Sequence, residues 1–212
     1  MLKNTLNIGD GEMKLGDVAT VRSGLVLARK QARGQTEHRY PLLNLRAIKS
    51  EGIIGTEELE VFDAVEPLKP EYLTHAGDII IRLSTPYTAV LIDEETENMV
   101  IPSSFAIVRA NRRYVLPEYL LWLLNTAKVR QQIYENTTGN MLGGIKPSFF
   151  SNFRLDLLPR GQQQKIASLN ELARRELQLM EALVSEKRKY YSCIIDTVQK
   201  EMRRGNCYDE QK

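Results

Sequence analysis

Few residue groupings in this chain could carry covalent chemistry. The two histidines, His38 and His75, stand in sequence apart from any cysteine or spaced carboxylate. An isolated histidine in a polar stretch reads as solvated, not as a general base or metal ligand. Ser103-Ser104 lacks the glycine frame that presents a nucleophilic serine on a strand-to-helix turn. The adjacent glycines of "NMLGG" lack the strand-to-helix setting of a phosphate-cradling loop, and neither GxGxxG nor GxxxxGK[ST] occurs. Acidic pairs such as Glu57-Glu58 read as solvated faces, and Cys193 and Cys207 have no metal-ligand spacing. By elimination the residues describe a binding and assembly module with no catalytic residue, metal site or cofactor of its own.

The chain has 212 residues, 42% hydrophobic and 26% charged, with a formal net charge of +2. That balance permits nucleic-acid binding without announcing it, so any basic surface must be local. Two cysteines exclude a disulfide framework and fit a reducing compartment. No stretch has the length of a signal peptide's apolar run or of a membrane span, so the expected location is cytoplasmic.

The elements that must position a binding surface are legible in outline. "KLGDVATVRSG" reads as a short helix or turn feeding a strand, and "YPLLNLRAI" and "GIIGTEELEVF" as further strands. In "THAGDIIIRLS" the unbroken run Ile79-Ile80-Ile81 predicts a strand buried on both faces. "TAVLID" and "SSFAIVRA" follow as strands. In "LPEYLLWLLNTAKVRQQIYEN" the period becomes helical, with Pro117 where a first helical turn accepts it. "RLDLLP" closes the domain as a strand, giving an α+β class. After Gly161 neither glycine nor proline occurs up to Met202, which allows one helix of roughly 40 residues. Along it Ile166, Leu169, Ala173, Leu177, Met180, Val184, Lys187, Tyr191, Ile194 and Val198 recur at gaps of three or four, and Leu172, Leu179 and Leu183 form a second row. A domain of about 150 residues, with a radius of gyration near ~15 Å, is too small to cover such a stripe. The stripe therefore calls for another chain or a second copy, with Lys187 as a polar interruption that can set register. The predicted division is a flexible leader (1–12), a β-rich globular domain (13–160), a long helix (161–204) and a tail (205–212).

Three segments in this order, "KLGDVATVRSG" (Lys14 to Gly24), "LTHAGDIIIRLS" (Leu73 to Ser84) and "LDLLPRGQQQKIASLNEL" (Leu155 to Leu172), resemble the specificity subunit of type I restriction-modification systems. "IPSS", "LPEYLLWLLNT" and "TTGNMLGGI" add to the likeness. The third segment lacks the double proline and acidic residue common in that family, and Thr85-Pro86-Tyr87 replaces a usual glycine. The family carries two target-recognition domains and two long helices per chain, so this sequence resembles half a subunit. The resemblance implies one target-recognition domain reading half of a bipartite site in double-stranded DNA. It also implies helices paired as an antiparallel coiled coil, and docking of methyltransferase and restriction subunits. S-adenosylmethionine would belong to the methyltransferase. A half-length chain would act as a homodimer, with Leu183 joining the stripe residues Ile166, Leu169, Ala173, Leu177, Met180, Val184, Tyr191, Ile194 and Val198 in the seam. The DNA contacts it implies lie in basic loops: Arg29, Lys30 and Arg33; Arg46; Arg82, Ser84, Thr85 and Tyr87; Asn140 and Lys146. Arginine donors suit guanine edges, while lysines and backbone amides suit phosphates.

Two other classes compete with this reading. A coiled-coil interaction module without DNA binding would share the stripe, and a compact nuclease would need a carboxylate-lysine metal site, which the sequence does not display. The stripe yields the first prediction. Light scattering should give a particle near twice 24.2 kDa, and Met180→Glu with Leu183→Glu should return it to the monomer mass.

Overall fold

The computed structural model describes residues 12–49, 52–137 and 145–209. The expected leader (1–12) lies outside these apart from Glu12. The described chain divides into two units, one ending at Ser168 and the other beginning at Leu169.

The first unit is built on a four-stranded antiparallel sheet. Its strands are β2 (Ala19–Ser23), β5 (Asp78–Arg82), β6 (Ala89–Leu91) and β7 (Phe105–Ala110), and their order is β2-β7-β5-β6. In the middle, Ile79 pairs with Val108, Ile80 with Ile107 and Ile81 with Ala106. All of these are sealed from solvent. Successive residues of a strand point to opposite faces, so strands apolar at every position require a cover on each side. On one face Ile79, Ile81, Ala106 and Val108 pack with Tyr119, Leu120 and Leu124 of helix α2 (Pro117–Asn125). Val129 and Ile133 of α3 (Ala127–Thr137) and Phe150 of α4 (Pro147–Asn152) join that layer. On the other face Ile80, Phe105 and Ile107 pack with Leu43, Ala47, Ile48, Met99 and Ile101, which lie in connecting segments outside the named strands and helices. A third cluster, around Leu25, Leu42, Phe62 and Val100, sits beneath the hairpin of β3 (Arg39–Leu42) and β4 (Glu60–Asp63).

The ends of the unit are tied together. β1 (Glu12–Lys14) pairs with β8 (Arg154–Asp156), and between β1 and β2 runs the single-turn helix α1 (Leu15–Val18). The amide of Leu15 donates to Phe153 O (2.8 Å), and the amide of Lys14 donates to the Asp17 carboxylate (3.2 Å).

The segment expected as one helix from Pro117 is two. Thr126 is extended (φ −64°, ψ 146°), and its hydroxyl accepts from the Val129 amide (3.4 Å), as an N-cap does for a new helix. Asn125, at the break, accepts from the Ala89 amide (3.0 Å) and donates to the Ala89 carbonyl (2.9 Å), closing the edge strand β6. The final helix, α5 (Arg160–Asp209), has 50 residues and continues past Met202 through the glycine at position 205. Gln163 in its first turn is fully buried. It accepts from the Leu116 amide (3.0 Å) and donates to Leu158 O (2.8 Å).

At one end of the sheet a buried carboxylate sets the geometry. Asp78 is 1% exposed and accepts two hydrogen bonds from Arg109, each 2.6 Å. Those bonds hold the Arg109 guanidinium above its ordinary value. His75 completes the group: its amide donates to Asp78 (3.1 Å), and its Nδ1 lies 2.8 Å from an Arg109 nitrogen. The sequence showed no partner for His75; the fold supplies one three residues away, because Gly77 (φ +88°) turns the chain back into β5.

At the opposite end of the sheet a glycine permits a close backbone crossing. A Cβ on Gly24 would lie 2.2 Å from Pro102 O and 2.4 Å from Ile101 O. Those carbonyls cannot retreat, since Leu25 donates to Ile101 O (2.7 Å) and Ser103 to Leu25 O (2.9 Å). Gly24→Ala should therefore cost about 2 kcal/mol and lower Tm by about 4–8 °C. Gly34→Ala, with nothing within 4 Å of the new carbon, should leave Tm within about 1–2 °C. Arg109→Met, which strands the buried Asp78 carboxylate, should lower stability by about 1–3 kcal/mol in urea unfolding, the partly exposed arginine limiting the loss. Arg39→Met, which breaks an exposed pair with Asp63 (3.0 Å), should cost less than about 1 kcal/mol.

Candidate nucleic-acid interface

Three segments meet where β2 and β5 end and β6 and β7 begin. The first leaves β2 through Gly24 and reaches Arg29 in the helical turn Leu27–Arg29. The second is the β5–β6 connection from Leu83 to Thr88. The third is Ile101–Ser104, leading into β7. Backbone hydrogen bonds knit them. Gly24 donates to Phe105 O (3.1 Å), Leu83 to Ser104 O (3.0 Å), Tyr87 to Ser84 O (2.9 Å) and Arg82 to Thr88 O (3.0 Å).

The β5–β6 turn divides its side chains by their chemistry. Leu83 and Tyr87 pack against the helix-side core. Tyr87 has φ +57°, a left-handed conformation uncommon for a bulky residue, and its ring and backbone are held by that packing and by Ser84. Ser84, Thr85 and Pro86 face solvent. Arg82 emerges from the rigid strand and donates from Nε to Ser84 Oγ (2.9 Å). Among the described residues no carboxylate pairs with it.

The other basic candidates fall into two groups. Lys30 is paired with Glu66, which raises the lysine and lowers the glutamate from their ordinary values through their shared hydrogen bond. Arg46 pairs with Glu60 (3.2 Å), whose carboxylate also accepts from Asn44 (3.1 Å). Both acids belong to or follow β4, as does Asp63, the partner of Arg39. Nearby Lys49 pairs with Glu57 (3.2 Å) and Glu58 (3.7 Å). Arg29, Arg33 and Lys146, in contrast, are exposed, and no carboxylate is paired with them among the described residues. Arg29 lies on the segment that leaves Gly24. Lys146 stands on a different segment, immediately before α4, and no hydrogen bond joins it to the β5–β6 turn among the described residues. Asn140 lies outside the described residues.

The sequence reading passed over Arg22. It sits on β2 opposite Ile107, on the face covered by connecting segments. One of its terminal nitrogens is shut off from solvent without an acceptor among the described residues. The alternation of Val21 and Arg22 on an edge strand is the only signal for it in sequence.

On α5 the stripe separates at the unit boundary. Ile166 packs against the helix-side core of the first unit and Ala167 is buried in it. From Leu169 onward the apolar residues are solvent-facing: Leu169, Leu177, Met180, Leu183, Val184, Tyr191, Ile194 and Val198 are each at least 40% exposed, and Leu172, Leu179, Tyr190, Ile195 and Met202 add to them. Among the described residues no helix is long and apolar enough to cross a membrane.

No protein-family model matches the chain, and no curated protein matches its sequence. Solved structures do match its fold. The HsdS subunit from Thermoanaerobacter tengcongensis aligns with a TM-score of 0.62 at 18% identity, covering 89% of this chain and 48% of that one. A chain from a structure describing complex assembly and conformational transition of the type I R-M system aligns with a TM-score of 0.55 at 15% identity, covering 88% and 44%. The chain thus spans about half the length of the solved structures it matches. The fold of this chain, a β-rich unit and a long helix, is thus similar to that of about half of an HsdS subunit.

Proposed function

We propose that this chain is a sequence-specific DNA-binding specificity subunit of a type I restriction-modification complex. Each copy reads one half of a bipartite site in double-stranded DNA and docks methyltransferase and restriction subunits in the cytoplasm. The observation that carries the reading is the fold match to HsdS over most of the chain. The chain itself is non-catalytic, and S-adenosylmethionine is bound by the methyltransferase partner.

Two features of the molecule support the division of labour. First, Arg82 joins a rigid backbone to a guanidinium with no carboxylate paired to it among the described residues, as base readout requires, and bidentate arginine–guanine contacts discriminate by ~1–3 kcal/mol. Arg29, Arg33 and Lys146 are free to neutralise phosphates and set register. Lys30 and Arg46 are offset by their own carboxylates. Second, at 100° per residue the exposed apolar positions of α5 cover roughly 160° of its circumference, wider than a two-helix seam of a and d positions. A homodimer through α5 uses the middle of that band, and the flanks remain for helices of the methyltransferase.

Selection from a pool of random duplexes, followed by fluorescence anisotropy at several salt concentrations, tests the reading. Arg82→Ala should relax discrimination at one base-pair position by about tenfold or more. Arg29→Ala, Arg33→Ala and Lys146→Ala should weaken all duplexes alike and reduce the salt slope by about one unit per copy. Lys30→Ala and Arg46→Ala should change little. Absence of salt-dependent duplex binding would leave the alternative, a coiled-coil interaction module that does not bind DNA.

A further inference from the structure

The exposed band of α5 carries two charges along its centre. From Leu169 the line Ala173, Glu176, Met180, Val184, Lys187, Tyr191 advances by gaps of four, three and four, an eleven-residue repeat. Every member is apolar except Glu176 and Lys187, which occupy the same place in successive repeats. Neither has an ion-pair partner among the described residues. Nearby charges are satisfied locally, Arg174 by Glu171 (3.0 Å) and Lys189 by Glu186 (2.7 Å), both off the band.

We propose that two copies pair antiparallel through α5 in the register that sets Glu176 against the partner's Lys187. By two-fold symmetry Lys187 then meets the partner's Glu176. The proposal rests on the homodimer reading and gives it a defined alignment. Choosing this one contact fixes every other. Met180 lies level with the partner's Leu183 at the middle of the band. Leu172 lies beside the partner's Tyr190 on one flank and Ala173 beside the partner's Tyr191 on the other, so the smallest residue of the band meets one of the largest. Leu169 faces the partner's Ile194. These positions bring apolar residues together, with opposite charges where Glu176 meets the partner's Lys187.

Other alignments lose this match. If Lys187 met the partner's Lys187 in an antiparallel pair, Glu176 would face the partner's Val198. A parallel in-register pair would set lysine on lysine and glutamate on glutamate. Either would leave charges in an apolar seam without compensation.

Sedimentation equilibrium of the full chain over a range of protein and salt concentrations tests the register. Glu176→Lys and Lys187→Glu should each raise the dimer dissociation constant by about tenfold or more, since each places two like-charge contacts in the seam. The double variant, with the charges exchanged, should return to within about threefold of wild type at low salt. An equimolar mixture of the two single variants should dimerise like wild type, which also shows that each is folded. A wild-type monomer would overturn both the homodimer and the register. A wild-type dimer unaffected by either single variant, or impaired by both without recovery in the double, would overturn the register and leave the homodimer standing.

Discussion

The middle strands of the sheet are apolar on both sides, and the rest of the first unit follows from the need to cover them twice. Burying a side chain such as Ile79, Ile80 or Ile107 is worth about 1.5–3 kcal/mol, and that gain is realised only if both layers close. The chain supplies the layers from different stretches. Helices α2 to α4 take the face of Ile79 and Val108, while connecting segments around Leu43 and Ile101 take the face of Ile80 and Phe105. Such a cover has to satisfy its own amides and carbonyls, which explains the cross-links through Leu25, Leu43 and Ser103. The connections at that end of the sheet are therefore not loose. They are anchored to strands sealed in the core, so Arg82 leaves β5 on a rigid backbone.

Charge is distributed by the same economy of neighbours. The net charge of +2 conceals a local segregation. Acids gather on and around β4, where Glu57, Glu58, Glu60, Asp63 and Glu66 answer Lys49, Arg46, Arg39 and Lys30. Arg29, Arg33, Arg82 and Lys146 stand elsewhere and have no such partner among the described residues. A cation already paired to a carboxylate must give up that pair to meet a phosphate, so the unpaired group sets where an anionic polymer gains most.

Much of this was legible before the fold was known, for physical reasons that differ by segment. The run Ile79-Ile80-Ile81 pointed to a strand covered on both faces, and the helical spacing beyond Gly161 allowed one long helix while leaving open a break near Glu186-Lys187-Arg188-Lys189. The motif residues proved structural: Leu15 is sealed in the core, Gly24 permits a backbone crossing, Asp78 holds Arg109, and Gln163 saturates backbone groups where α5 begins. What sequence did not disclose depends on long-range pairing. No local signal joins β1 to β8, or links Lys30 to Glu66 and Arg46 to Glu60, so basic residues of equal appearance proved unequal. The break at Thr126 was overlooked because Leu123, Leu124 and Ala127 keep helical spacing across it. The deciding features, a threonine cap and an asparagine bonded to β6, are polar and fall outside a hydrophobic pattern.

The long helix poses the opposite problem to the sheet. Its apolar band is exposed from Leu169 onward, and an apolar band alone specifies neither direction nor alignment. Leucine-rich seams slide, because each step exchanges one apolar contact for another of similar worth. A charge in the seam weakens it in every alignment, but unequally: the loss is small where an opposite charge faces it and large where none does. Two charges of opposite sign in successive repeats turn that inequality into a direction, since only an antiparallel neighbour presents them in reverse order. In the proposed antiparallel pair Glu176 and Lys187 trade part of the seam's stability for a single spacing along the helix.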